Sequence, residues 1–255
     1  MIYHFARHFP HRSITVVVLT LVFTVGIPAR LPGSDRIDVK LFVDEEEPYL
    51  PQRWQQRLRK RLLRASKIME SYTSLPFRIS GFGIWQSDNQ TTEFTASLRE
   101  FEKETSVGRN EIAVAFTSQY RIVPGRYRMG GTRGPLHSHI LIRENNPQAS
   151  EAVRVELLIH ELGHHLGAAH SSQLQSAMRP TLGDFHPGSQ RLRFGFDAWN
   201  ARIIRLVASE IRFLNVKQFG QLSAKTRRQL REYYAVLAEQ LPEDPAAQYY
   251  LKLIQ

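Results

Sequence analysis

Residues 36–43, RIDVKLFV, alternate apolar and polar side chains with the period of a half-buried strand. The acidic run from Asp44 to Glu47 follows and reads as an exposed loop. Such a run is open to calcium, although a solvated loop is the commoner outcome. Pro51 then opens a helix predicted to reach about Tyr72. Trp54, Leu58, Leu62, Ala65 and Met69 fall in one stripe at helical spacing. Arg53, Arg57, Arg59, Lys60, Arg61, Arg64 and Lys67 cover much of the remainder. That basic face suits an anionic surface, and equally the solvated flank of a packed helix.

A second strand is predicted over residues 76–85, PFRISGFGIW, and a helix from Thr92 to Thr105 with Phe94, Leu98 and Phe101 on one side. Residues 110–116, NEIAVAF, form a third strand. After Pro124-Gly125, a short edge strand is expected from Arg128 to Thr132 and a further strand from Ser138 to Arg143. Asn146-Pro147 opens a long helix. A last helix of the main unit runs from Asp197 to about Phe213. Residues 222–254 look like two more helices split by Pro242 and Pro245, a pair that could dock a partner but carries no chemistry of its own.

The N-terminus has a different pattern. Arg7 and Arg12 precede an apolar run from Ile14 to Ile27, closed by Pro28 and Arg30. A basic flank and a short apolar run read as a secretory signal. The run is short of the roughly 20 residues that span a bilayer, yet Ile27 is a poor small-residue partner for cleavage at Ala29, so an uncleaved anchor stays open. The expected organisation is therefore a signal peptide or membrane anchor over 1–30, a main domain over 31–213, and a helical extension over 214–255. The expected location is secreted or otherwise outside the cytoplasm.

Composition narrows the chemistry. No cysteine is present, which excludes disulfides, thiolate metal ligands and a cysteine nucleophile. The net charge of +10 favours contact with anionic surroundings without choosing among them, and no specific nucleic-acid binding is expected.

The informative segment is residues 160–170, HELGHHLGAAH. His160 and His164 lie four apart on a predicted helix, so both imidazoles leave one face about a turn apart and can reach one zinc ion. Glu161 sits where it can reach a metal-bound water without taking a ligand place, the position of a general base. Gly167 can end the helix in a left-handed conformation and let the chain return His170 to the same ion. Three histidines and a water make an open, catalytic zinc site. With 10 His and 15 Gly among 255 residues, the added Gly and His make the pattern roughly 400-fold rarer by chance than the short HExxH form.

Met178 lies beyond His170 in SSQLQSAMRP. Here the sequence resembles the metzincin zinc metallopeptidases, whose signature is HExxHxxGxxH followed by a methionine turn beneath the metal. His170-Ser171-Ser172 and Met178-Arg179-Pro180 are similar to matrixins in particular. Pro180, where a tyrosine would stand, separates the chain from astacin-like and serralysin-like branches, and the missing cysteines separate it from archaemetzincins. The matrixin latency switch has no cysteine here, and of that family's second zinc site only His137 and His139 stand in a comparable place. The resemblance implies an α+β, zincin-like fold: a twisted mixed sheet with an antiparallel edge strand, an active-site helix, a Met-turn at Met178, and the C-terminal helices added. It implies one catalytic zinc, a peptide substrate paired along Gly130 and Gly131, and a side-chain pocket walled by Arg179 to Phe185. Leu182 and Phe185 would then favour an apolar residue after the cut. His165 is expected to pack and His186 to lie on the surface.

The function that follows is a zinc-dependent metalloendopeptidase cleaving internal bonds of extended protein segments. The alternatives are a non-catalytic peptide-binding or cell-surface adhesion module with a structural zinc. The intact Glu161 speaks against the binding module. The sequence gives no oligomeric state.

Overall fold

A computed structural model of the chain describes residues 34–91, 93–108, 111–117, 129–144, 149–180 and 193–255. The N-terminal apolar segment, His186, Leu182 and Phe185 lie outside these described residues.

Four parallel strands make up most of the sheet. β1 (Ile37–Asp44) pairs with β2 (Phe77–Trp85) on one side and with β3 (Glu111–Thr117) on the other. β3 then pairs in parallel with a strand at His139–Arg143, which pairs antiparallel with Gly130–Gly131. In chain order the last two are β4 (Gly130–Gly131) and β5 (His139–Arg143), so the sheet runs β2-β1-β3-β5-β4. The edge strand expected over five residues is thus only two residues long among the described residues.

Alternation along the strands sorts the core into two layers. Val39, Leu41, Val43, Ile112, Val114, Phe116, Ile140 and Ile142 face one side, where they meet α1 (Pro51–Thr73), α3 (Glu151–His165) and α4 (Ala198–Leu214). Phe42, Ala113, Ala115 and Leu141 face the other, where α2 (Phe94–Glu104) contributes Phe94, Leu98 and Phe101. Because both faces are covered, β3 and β5 are buried almost throughout and read as unbroken apolar runs. The architecture is mixed α/β, with helices on both faces of a mainly parallel sheet; the mixed sheet and its antiparallel edge strand match the expectation. α5 (Ala224–Gln240) and α6 (Pro245–Leu253) form a C-terminal hairpin, with α5 packed on α4.

Two charged positions depart from the sequence reading. Arg61 does not belong to a solvated basic face: it is buried, fork-bonded to Glu151 at 2.6 and 2.8 Å and paired with Glu144. The helical stripe predicts one buried face, but the flank beside it turns toward α3, whose first residue is Glu151. Asp44 likewise is no exposed loop residue. It ends β1 buried and accepts a 2.7 Å hydrogen bond from Thr117 Oγ1 across the sheet. Among the described residues no helix is long and apolar enough to cross a membrane.

Candidate metal centre

α3 begins at Ser150, whose Oγ accepts from the Val153 amide, and it is buried continuously from Val155 to Gly163. A helix so enclosed holds its side chains in fixed directions, which is what a multi-ligand site needs. It ends where the Gly167 backbone turns to φ +86°. The Gly167 amide donates to His164 O at 3.0 Å and the Ala168 amide to Gly163 O at 2.9 Å, closing the last turn. A side chain at Gly167 would be strained by that φ and would also meet Tyr234 Oη at 3.0 Å.

The chain then folds back. Asn200 of α4 grips the Ala169 backbone with two hydrogen bonds of 2.9 Å, one to each polar group. This clamp fixes His170 next door. His164 Nε2 lies 3.0 Å from His160 Nε2 and 3.2 Å from His170 Nε2. The three imidazoles are the one such group among the described residues able to hold a metal.

The opposite nitrogens decide what this convergence means. His160 Nδ1 donates to Ala177 O at 2.7 Å, His164 Nδ1 to Ala168 O at 2.8 Å, and His170 Nδ1 to Asp244 Oδ2 at 2.6 Å. With Nδ1 the donor in each ring, the three Nε2 atoms turn their lone pairs toward one another. Burial, with His170 close by, pushes the His160 pKa down to about 3, so that ring stays neutral. Lone pairs so close repel unless a cation lies among them. Nitrogens held tetrahedrally on zinc at about 2.0–2.1 Å stand roughly 3.3 Å apart, near the observed spacings. The donor set therefore fits zinc.

Glu161 is buried beside the ligands and lies over β4, where a methyl on Gly130 would meet its carboxylate. Gly131 pairs with Leu141. Met178 is fully buried under the helix, and a Cβ at Gly163 would stand 2.7 Å from its Sδ and 2.9 Å from the Phe196 ring. The turn carrying Met178 is closed by the Ser171 amide donating to Met178 O at 2.9 Å, and tied down by Ser176 Oγ donating to Asp197 Oδ2 at 2.8 Å. Thus the methionine turn also supplies the carbonyl of Ala177 that orients His160.

These observations stand beside a sequence match to the model described as Metallo-peptidase family M12 over residues 35–190, more than half of the chain. The chain belongs to metallopeptidase family M12. No curated protein matches this metallopeptidase by sequence. Among solved structures it is similar to an archaemetzincin from Methanopyrus kandleri, with 15% identity over 68% of this chain and 96% of that one and a TM-score of 0.49. It is also similar to a zinc-dependent peptidase from Methanocorpusculum labreanum, with 14% identity over 66% of this chain and all of that one and a TM-score of 0.44. At such TM-scores neither likeness bears on the metallopeptidase's substrate or mechanism.

Other expectations meet the structure unevenly. His165 packs as expected, buried with Nδ1 donating to His137 O at 3.1 Å. His139 bonds Thr105 O at 3.2 Å through Nε2, and His137 faces Glu102 at 3.6 Å, so each has its own neighbour. Arg179 is buried, and its Nη1 donates to Glu156 Oε1 at 2.6 Å on α3. The largest correction concerns the C-terminal helices, read from sequence as carrying no chemistry. They place Asp244 on His170, Tyr250 Oη 3.4 Å from His164 Nδ1, and Tyr234 Oη 2.6 Å from the Gly167 carbonyl it donates to. The break at Pro242 and Pro245 was legible in the sequence, but nothing there tied Asp244 to His170.

Proposed function

We propose that the metallopeptidase is a zinc-dependent endopeptidase in which His160, His164 and His170 hold the ion, Glu161 is the general base and Met178 forms the floor of the site. The observation that carries this reading is the convergence of the three imidazoles of His160, His164 and His170 beside the buried carboxylate of Glu161. When bound, zinc supplies Lewis acidity toward a water and a peptide carbonyl. Glu161, next to His160 on the same buried helix, takes the proton of the attacking water and returns it to the leaving amine. Burial strengthens each of these charge interactions.

β4 ends the sheet order, and no described strand pairs with its outer edge. An extended substrate adds there through main-chain hydrogen bonds along Gly130-Gly131, the mode suited to internal segments of unfolded chain. Glycine leaves room for the Glu161 carboxylate between strand and helix. The matrixin-like sequence around Met178 supports an apolar preference just after the cut. The basic, then apolar N-terminus supports action outside the cytoplasm, secreted or tethered, against protein or peptide substrates.

A random peptide library read by mass spectrometry tests this. Internal cuts are expected, abolished by a chelator and absent in a Glu161→Gln variant that keeps its zinc. Cuts that survive the chelator, or that fall only at peptide ends, overturn the reading.

A further inference from the structure

Asp244 occupies the turn between α5 and α6, and its two carboxylate oxygens do different work. Oδ1 accepts the Ala246 amide at 2.9 Å as the N-cap of α6, and Oδ2 accepts from His170 Nδ1 at 2.6 Å. Pro245 at the first helical position fixes the backbone that aims this carboxylate. The same hairpin brings Tyr250 to His164, and the Tyr250 ring packs edge-on against Tyr234 at 5.6 Å, which in turn holds the Gly167 turn. All three residues lie beyond residues 35–190, the part matched by the family model.

We propose that the α5–α6 hairpin is a built-in outer shell of the metal centre, with Asp244 as the positioning residue for His170. The inference rests on the zinc reading above. The physical case has three parts. His170 is the ligand outside α3, so no helix fixes its ring; a hydrogen bond at Nδ1 locks both its tautomer and its rotation. Three neutral imidazoles leave the ion's full charge uncompensated, and a carboxylate one ring away offsets part of it and makes Nε2 a stronger donor. Coupling is also reciprocal: if docking of the hairpin strengthens metal binding, metal strengthens docking to the same degree.

The test uses the full chain as parent, Asp244→Asn, Asp244→Ala, and Glu243→Ala as an exposed neighbour control. Zinc affinity is measured by competition with a chromophoric chelator, and the visible spectrum is recorded after cobalt(II) substitution. Asp244→Ala is expected to bind zinc about 10–100-fold more weakly. Asp244→Asn, which keeps a good helix cap and an acceptor oxygen but loses the charge, falls between it and parent. Glu243→Ala matches parent. The cobalt spectrum shifts in Asp244→Ala, a change that loss of a helix cap alone would not produce. Should Asp244→Ala fail to fold, Asp244→Asn decides by the same two readouts. Parent affinity together with a parent spectrum in the decisive variant overturns the inference, as does weakened binding with an unchanged spectrum. A parent that takes up no zinc sinks the zinc reading itself.

Discussion

Gly130 and Glu161 are so closely apposed that a methyl group on Gly130 would stand 2.5 Å from Glu161 Oε1 and 2.8 Å from its carboxyl carbon. The strand and the helix are thus spaced by a missing side chain. Gly130→Ala should displace the carboxylate by the better part of an ångström while leaving the three histidines in place. Misplacement on that scale costs about 10²-fold in rate. Peptidase assays and zinc analysis of the same preparation check it: activity should fall with zinc retained, and parent activity would show that the apposition is unimportant.

Glu161→Gln keeps the volume of the side chain against Gly130 but cannot accept a proton. Zinc content should match the parent while kcat/KM falls by about 10²–10⁴-fold, the usual contribution of a general base. A variant that cleaves at the parent rate removes Glu161 from that role.

Gly163 bears on packing instead of chemistry. A Cβ there would meet Met178 Sδ at 2.7 Å and Phe196 Cε1 at 2.9 Å. The thioether can shift, but the ring closes the other side. Gly163→Ala should cost about 1–3 kcal/mol by overpacking. In a chain of this size that lowers the melting temperature by several degrees, about 2–4 °C per kcal/mol. Calorimetry showing no decrease would mean the Met178 floor yields freely.

Arg61 is buried with Glu151 and Glu144 as partners and joins α1 to the start of α3. Arg61→Ala leaves Glu144 to Arg154 at 3.1 Å and takes this partner from the half-exposed Glu151, and should cost about 1–3 kcal/mol. Arg61→Met restores the volume without the charge. If both variants unfold in denaturant like the parent, the ion pair contributes nothing net.

Acid should weaken the metal-free protein through its buried histidines. Burial pushes His165 down to about 4, opposed only in part by its bond to the His137 carbonyl, and His160 down to about 3. Unfolded, both titrate near 6.5. Between these values the unfolded chain binds more protons than the folded one, so their contribution is intact above about pH 6.5 and is lost progressively as pH falls toward 4 and below. For His165 alone this is of order 3 kcal/mol. Urea unfolding of chelated protein from pH 7 to 4.5 should show the decline, and His165→Gln should flatten it. An equal slope in parent and variant would refute the assignment.

The sequence by itself determined whatever repeats locally. The apolar stripe of α1, the alternating strands and the helix over His160 and His164 follow from periods of 3.6 and 2. The 160–170 segment also held its own stop signal, since Gly167 is where the chain must enter a left-handed conformation to bring His170 round. That is why three residues of one short segment could be placed together before any fold was known. What the tertiary structure decided are the partners of those residues. Asp244 reaches His170 across 74 positions, Asn200 reaches Ala169 across 31, and Arg61 reaches Glu151 across 90. Such pairs have no period. They are set by which helix end the packed sheet and helices bring against which loop, and the energy of each bond appears only once that packing exists. The same reason explains why Asp44 and Arg61 read as solvated charges: a local pattern shows which face of an element is apolar, but not that a neighbouring element will bury and neutralise a charge at its margin.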